Sequence, residues 1–135
     1  MKVVLDTNVL ISALIKAGKP RELLFQIGKG KAQLVLSRGI LDEFLEVSED
    51  SRVRRYVDES DLVEILKVIG SIGKTVRVKS KFRVIKDDPD DDIILRTAHD
   101  GKADYIVSGD KHLLSLKEFR EIKIVSVDEM LKLLK

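Results

Sequence analysis

Four acids in this sequence stand where a carboxylate is expected to do chemistry. Asp6 ends the short apolar run Val3-Val4-Leu5, and Asp110 follows Tyr105-Ile106-Val107-Ser108-Gly109. Both are strand exits, and the carboxyl edge of an open parallel sheet is where sites are built. Glu43 falls three residues after Ile40 and four before Val47, on the apolar side of a helix, whereas Asp42 and Glu46 turn toward solvent. Within Asp87-Asp88-Pro89-Asp90-Asp91-Asp92, Asp91 lies over Ile94, Leu95 and Ala98 and points inward. Asp92, with Arg96 and His99 among its neighbours, is the second choice. Each acid alone also has a plain structural explanation: Asp6 and Asp88 as helix caps, the cluster as a partner of the helix dipole, Glu43 as the border of an amphipathic face. Together they say more. Four converging carboxylates cannot all stay ionised without a cation, and such oxygens suit Mg²⁺ or Mn²⁺, the ions of phosphoryl chemistry.

The elements that must hold these acids follow from periodicity. Apolar runs predict strands at 2–5, 33–36, 75–78, 105–107 and 122–125. Helical spacing predicts helices over 9–15, 21–27, around Ile40 to Val47, from a cap at Asp58 or Ser60 to stops at Gly70 and Gly73, and over 93–99, 111–116 and 128–134. Asp88 is the expected cap of the 93–99 helix, with Pro89 at its first position. Residues 28–31 read as a loop. Strands alternating with helices imply right-handed crossovers and a three-layer α/β/α fold around a parallel sheet. Two basic stretches remain, Arg52, Arg54 and Arg55 in a connector, and Lys79, Lys81, Arg83 and Lys86 after the third strand. They suit either phosphate contact or a solvated surface.

Composition bounds the function. The 135 residues are expected to form one domain, 1–135, able to bury a core without disulfides or a structural metal. With no cysteine, thiolate metal sites and a cysteine nucleophile are excluded. No apolar run is long enough to span a membrane and no leader is visible, so the expectation is a soluble cytoplasmic protein. The net charge is +2, and setting the four candidate acids aside makes it +6, a basic surface around an acidic pocket that suits a polyanion. Asn8, two residues from Asp6, is the only asparagine.

The ordered segments VVLDTNVLISAL, LSRGILDEFLEV, DPDDDIILRTA and ADYIVSGDKHLL resemble the PIN-domain ribonucleases, and more narrowly the prokaryotic PIN proteins akin to VapC toxins. The resemblance covers essentially the whole chain. It implies strand order 3-2-1-4-5, with the first and fourth strands adjacent. The family's acids fall on Asp6, Glu43, Asp91 and Asp110, as catalytic residues and metal ligands, and its small polar residues on Asn8 and Ser108, which would orient carboxylates or water from behind. Asp92 would serve as a further supporting group or as a ligand of a second ion. Relatives commonly carry another acid where this chain has His112. The resemblance further implies metal-dependent cleavage of RNA, a homodimer, and often a small antitoxin protein over the site.

Three other readings compete. A haloacid-dehalogenase-type phosphatase needs a second Asp two residues after the first, where this chain has Asn8. A phosphoacceptor receiver domain needs an Asp at the end of its third strand, where this chain has Lys79 and Ser80. A PIN fold used only to bind RNA or protein is the remaining alternative, and the intact acids argue against it.

Overall fold

Strands β1 (Lys2–Leu5), β2 (Gln33–Ser37) and β4 (Tyr105–Val107) form the centre of the sheet and are apolar almost throughout, as strands covered on both faces must be. Val3, Val4, Leu34, Val35 and Ile106 are completely buried. The computed structural model describes residues 1–85 and the backbone from 89 onward, with side chains again from 91. The expected cap at Asp88 and the basic Lys86 lie outside the described residues. Around the central strands run β3 (Gly73–Val76), β5 (Glu118–Phe119) and β6 (Ile122–Val125), in the order β3-β2-β1-β4-β6-β5. All pairings are parallel except β5 with β6.

The expected order is present in its first five positions, and a sixth strand is added. β5 escapes periodicity because it is two residues long, and because its turn to β6 lacks the usual Asn-Gly. Arg120 and Glu121 make that turn at φ 48° and 71°, the left-handed conformation a two-residue hairpin demands but side chains other than Asn, Asp or Gly rarely supply.

The helices are α1 (Thr7–Ile15), α2 (Lys19–Gln26), α3 (Arg38–Glu49), α4 (Ser51–Arg54), α5 (Glu59–Ile72), α6 (Pro89–Asp100), α7 (Lys111–Leu116) and α8 (Val127–Leu133). Their starts are chemically marked. Ser37 caps α3 by accepting from the Ile40 amide, Asp58 caps α5 through the Ser60 amide, and Ser126 and Glu129 form a reciprocal capping box on α8. The connector at 51–56 contains the single turn α4, and the loop expected at 28–31 is a wide helical turn, Ile27–Lys31, unwound at Gly30 with φ 91°.

The two glycines expected to end the 60s helix divide the work. Gly70 lies inside α5 on its exposed side, with open space where a Cβ would stand. Gly73 ends the helix and at once begins β3, two residues earlier than the pattern at Thr75 suggested. A Cβ there would meet Leu36 Cδ1 at 2.4 Å and the Ile69 carbonyl at 2.6 Å, because the strand pairs with β2 directly under the helix end. Gly70→Ala is therefore expected to stabilise the protein by roughly 0.5–1 kcal/mol by removing backbone entropy from the unfolded chain. Gly73→Ala is expected to destabilise it. Thermal melts of the two variants check this, and a melting temperature for Gly73→Ala at or above that of the parent would contradict the packing.

Candidate active site

Because neighbouring strands run parallel, the helices that follow them start at one edge of the sheet. Asp6 leaves β1 as the cap of α1, Ser37 leaves β2 as the cap of α3, and Asp110 leaves β4 as the cap of α7. α6 runs back toward β4, and its first turns reach the same edge. Ile93 lies against Gly39 in the first turn of α3, and Thr97 Oγ1 hydrogen-bonds Ser37 Oγ at 2.8 Å in a buried contact. The edge thus gathers the segments carrying Asp6, Glu43, Asp91 and Asp110.

Asp6 is the best-defined of them. Only 4% exposed, it accepts from Ser108 Oγ at Oδ2 (2.7 Å) and from the Asn8 amide at Oδ1 (3.3 Å). Its own amide continues the β1–β4 ladder by donating to Val107 O at 2.9 Å. Ser108, fully buried, also accepts from the Asp110 amide at 2.9 Å. One hydroxyl therefore joins the two acids at the strand exits. Asp110, partly exposed, gives Oδ1 to the amides of His112 (2.7 Å) and Leu113 (3.3 Å). The His112 side chain itself is exposed. Asn8 is exposed too, so the contact it makes with Asp6 is through its backbone N–H.

Glu43 is half-buried beside the fully buried Ile40 and Phe44, while Asp42 and Glu46 are exposed. Asp91 is 6% exposed and Asp92 only 2%. Asp92 has a clear occupation. Its Oδ1 accepts from the amides of Val84 (2.8 Å) and Ile85 (2.9 Å) and so fastens the chain that leads into α6. Two turns further on, Asp100 does the same at the other end, accepting the amides of Lys79 (2.7 Å) and Ser80 (2.9 Å) and the Ser80 hydroxyl. Burial works to raise the Asp100 carboxyl, but the hydrogen bonds from Ser80 and Lys79 outweigh it and hold the group below its ordinary value. Between the two, Arg96 Nε donates to Phe82 O at 2.8 Å.

The basic candidates separate. Arg52 pairs with Asp50 at 3.2 Å and Arg54 pairs with Glu59, so two of the three connector arginines are already neutralised. Lys79, Lys81 and Arg83 are exposed and form no ion pair among the described residues. Pattern reading overlooked the Ser37–Thr97 hydroxyl pair, for which no sequence signal exists. It named Asp92 as a supporting group but missed that Asp92, Arg96 and Asp100 act together as anchors, although their i, i+4, i+8 spacing was available.

The donor chemistry fits a hard divalent ion. Buried carboxylates need compensation, and Thr7, next to Asp6, has its hydroxyl buried with no hydrogen-bond partner among the described residues. No three Asp, Glu or His side chains among the described residues stand together as a ready cage. Mg²⁺ does not require one, since it is commonly held by one or two carboxylates and completes its shell with water and substrate oxygens. Among the described residues no helix is long and apolar enough to cross a membrane.

Comparison with known proteins agrees with this architecture. The chain is 35% identical over 120 residues to the uncharacterized protein MJ1680 of Methanocaldococcus jannaschii, covering 87% of this chain and 76% of that protein. Its fold is similar to a chain in the crystal structure of VapBC2 from Rickettsia felis bound to a DNA fragment from their promoter, with a TM-score of 0.61 at 16% identity. That match covers 93% of this chain and 98% of the other. The PIN domain model matches residues 2–112, and the chain belongs to the PIN-domain family.

Proposed function

We propose that this chain, read as one PIN domain over 1–135, is a metal-dependent endoribonuclease and the toxin component of a type II toxin-antitoxin pair. PIN domains are generally nucleases, so hydrolysis of phosphodiester bonds is the general class. The observation that carries the reading is the hydrogen-bonded connection from Asp6 through the Ser108 hydroxyl to the Asp110 amide at the sheet edge where α3 also starts. A small antitoxin partner belongs to the same reading, supported by the likeness to a chain of a VapBC complex; a homodimer and a cytoplasmic location belong to it as expectations from the family resemblance.

Asp6, Glu43, Asp91 and Asp110 are the residues that would hold Mg²⁺ or Mn²⁺, an ion that supplies charge stabilisation at the phosphate and a more acidic water. Ser108 fixes Asp6 by donating its hydroxyl proton to Oδ2, and the Asn8 amide fixes Oδ1, so the carboxylate plane is set before substrate arrives. Asp110 commits Oδ1 to α7 and offers Oδ2. Asp92 keeps the entry to α6, and with it Asp91, in register by gripping the backbone at 84–85.

A second reading, a PIN fold that binds RNA or protein without cutting, gains from the lack of a three-ligand cage among the described residues. Cleavage of labelled RNA with Mg²⁺ or Mn²⁺ and with EDTA separates the two. Metal-dependent cleavage is expected, and Asp6→Asn is expected to abolish it while leaving the fold intact, because the shape is kept although one of the two hydrogen bonds accepted by the carboxylate is lost. Parent-level cleavage by Asp6→Asn would overturn the acid assignment.

Ser108→Ala would leave the buried Asp6 Oδ2 and the Asp110 amide without their shared partner. The expected cost is about 1–3 kcal/mol of stability, together with a lower kcat. Urea titration and single-turnover cleavage check both, and unchanged stability would show that the hydroxyl bridge does not hold these acids.

A further inference from the structure

The segment 77–85 crosses α6 as a pinned strap. Asp100 holds its start at Lys79 and Ser80, Arg96 holds its middle at Phe82 O, and Asp92 holds its end at Val84 and Ile85. The outer anchors are eight residues apart on the helix, about 12 Å along its axis, so the five residues or so between them must run stretched rather than coiled. Burial alternates accordingly. Val78, Ser80 and Phe82 turn partly inward while Arg77, Lys79, Lys81 and Arg83 are exposed. The Phe82 ring is clamped further by Phe119 at 5.2 Å and by the Arg120 guanidinium at 4.5 Å.

We propose that this strap is a rail for the phosphate backbone of a single nucleic-acid strand, bound by Arg77, Lys79, Lys81 and Arg83 and ending beside Asp91. In a stretched chain alternate side chains repeat at roughly 6–7 Å, a spacing comparable to that of consecutive phosphates in one strand. The four cations have no ion pair among the described residues, unlike Arg52 and Arg54, so phosphates meet no competitor among those residues. Their backbone is already fixed, which lowers the ordering cost of binding. The strand's destination at the acidic edge rests on the nuclease reading; its binding to the strap does not.

The test measures binding of a labelled oligouridylate by fluorescence anisotropy in EDTA, with the full chain. Lys81→Gln/Arg83→Gln is expected to weaken binding roughly tenfold at moderate salt and to reduce the slope of log K against log salt by about 1.4, two single-strand phosphate contacts. Arg52→Gln, whose guanidinium is already paired, is expected to change little. Asp100→Ala discriminates further. It removes a negative charge, so charge alone would tighten binding, whereas freeing the start of the rail is expected to weaken it several-fold. Unchanged binding in the double variant, as an acidic protein partner for the strap would give, overturns the rail, and so does equal or tighter binding by Asp100→Ala. Oligonucleotide held through the strap yet left intact when Mg²⁺ is added would sink the nuclease reading and support the rail.

Discussion

Burying a carboxylate is costly unless its oxygens are satisfied, and the Asp6 side chain is satisfied by a serine from a strand more than a hundred residues away. That bond depends on β1 and β4 lying side by side in register, with Leu5 opposite Val107, so that the residues following each strand meet. Ser108 can serve Asp6 with its proton and the Asp110 amide with its lone pair because a hydroxyl both donates and accepts. Cysteine, alanine or glycine at this position would lose at least one of the two bonds in strength or altogether. The chemistry of the edge and the adjacency of the central strands are therefore the same fact seen twice.

α6 is the second organising element, and its two faces do different work. One side packs Ile94, Leu95 and Ala98 into the core and carries Asp91 with them. The other presents Asp92, Arg96 and Asp100 in a line and lashes the preceding chain across the helix. Polar side chains at helical spacing thus replace strand pairing as the means of fixing an irregular segment, whose amides would otherwise need water or another partner. Satisfying them from a helix leaves Arg77, Lys79, Lys81 and Arg83 facing outward, with no ion pair among the described residues.

Much of this was legible in the sequence. Apolar runs ending in Asp6 and Asp110, the helical register that separates Glu43 from Asp42 and Glu46, and the alternation of strands with helices are local patterns, and local patterns survive without knowledge of the fold. The buried side of α6 could be read in the same way, because an apolar stripe dictates its own orientation.

Tertiary structure alone decided the rest, wherever a residue's partner is distant or its backbone is unusual. The family resemblance gave Ser108 a role behind the carboxylates, but only strand adjacency makes Asp6 Oδ2 its partner, and nothing near Thr97 points to Ser37. Asp92 read as a supporting group or a ligand of a second ion, and its hold on the Val84 and Ile85 amides was not visible because backbone amides carry no sequence signature. β5 stayed hidden because its turn forces Arg120 and Glu121 into a left-handed conformation that composition gives no reason to expect. Periodicity reports which side of an element is apolar. Which polar groups then meet across the fold is set only when strand order and register bring them within hydrogen-bonding distance.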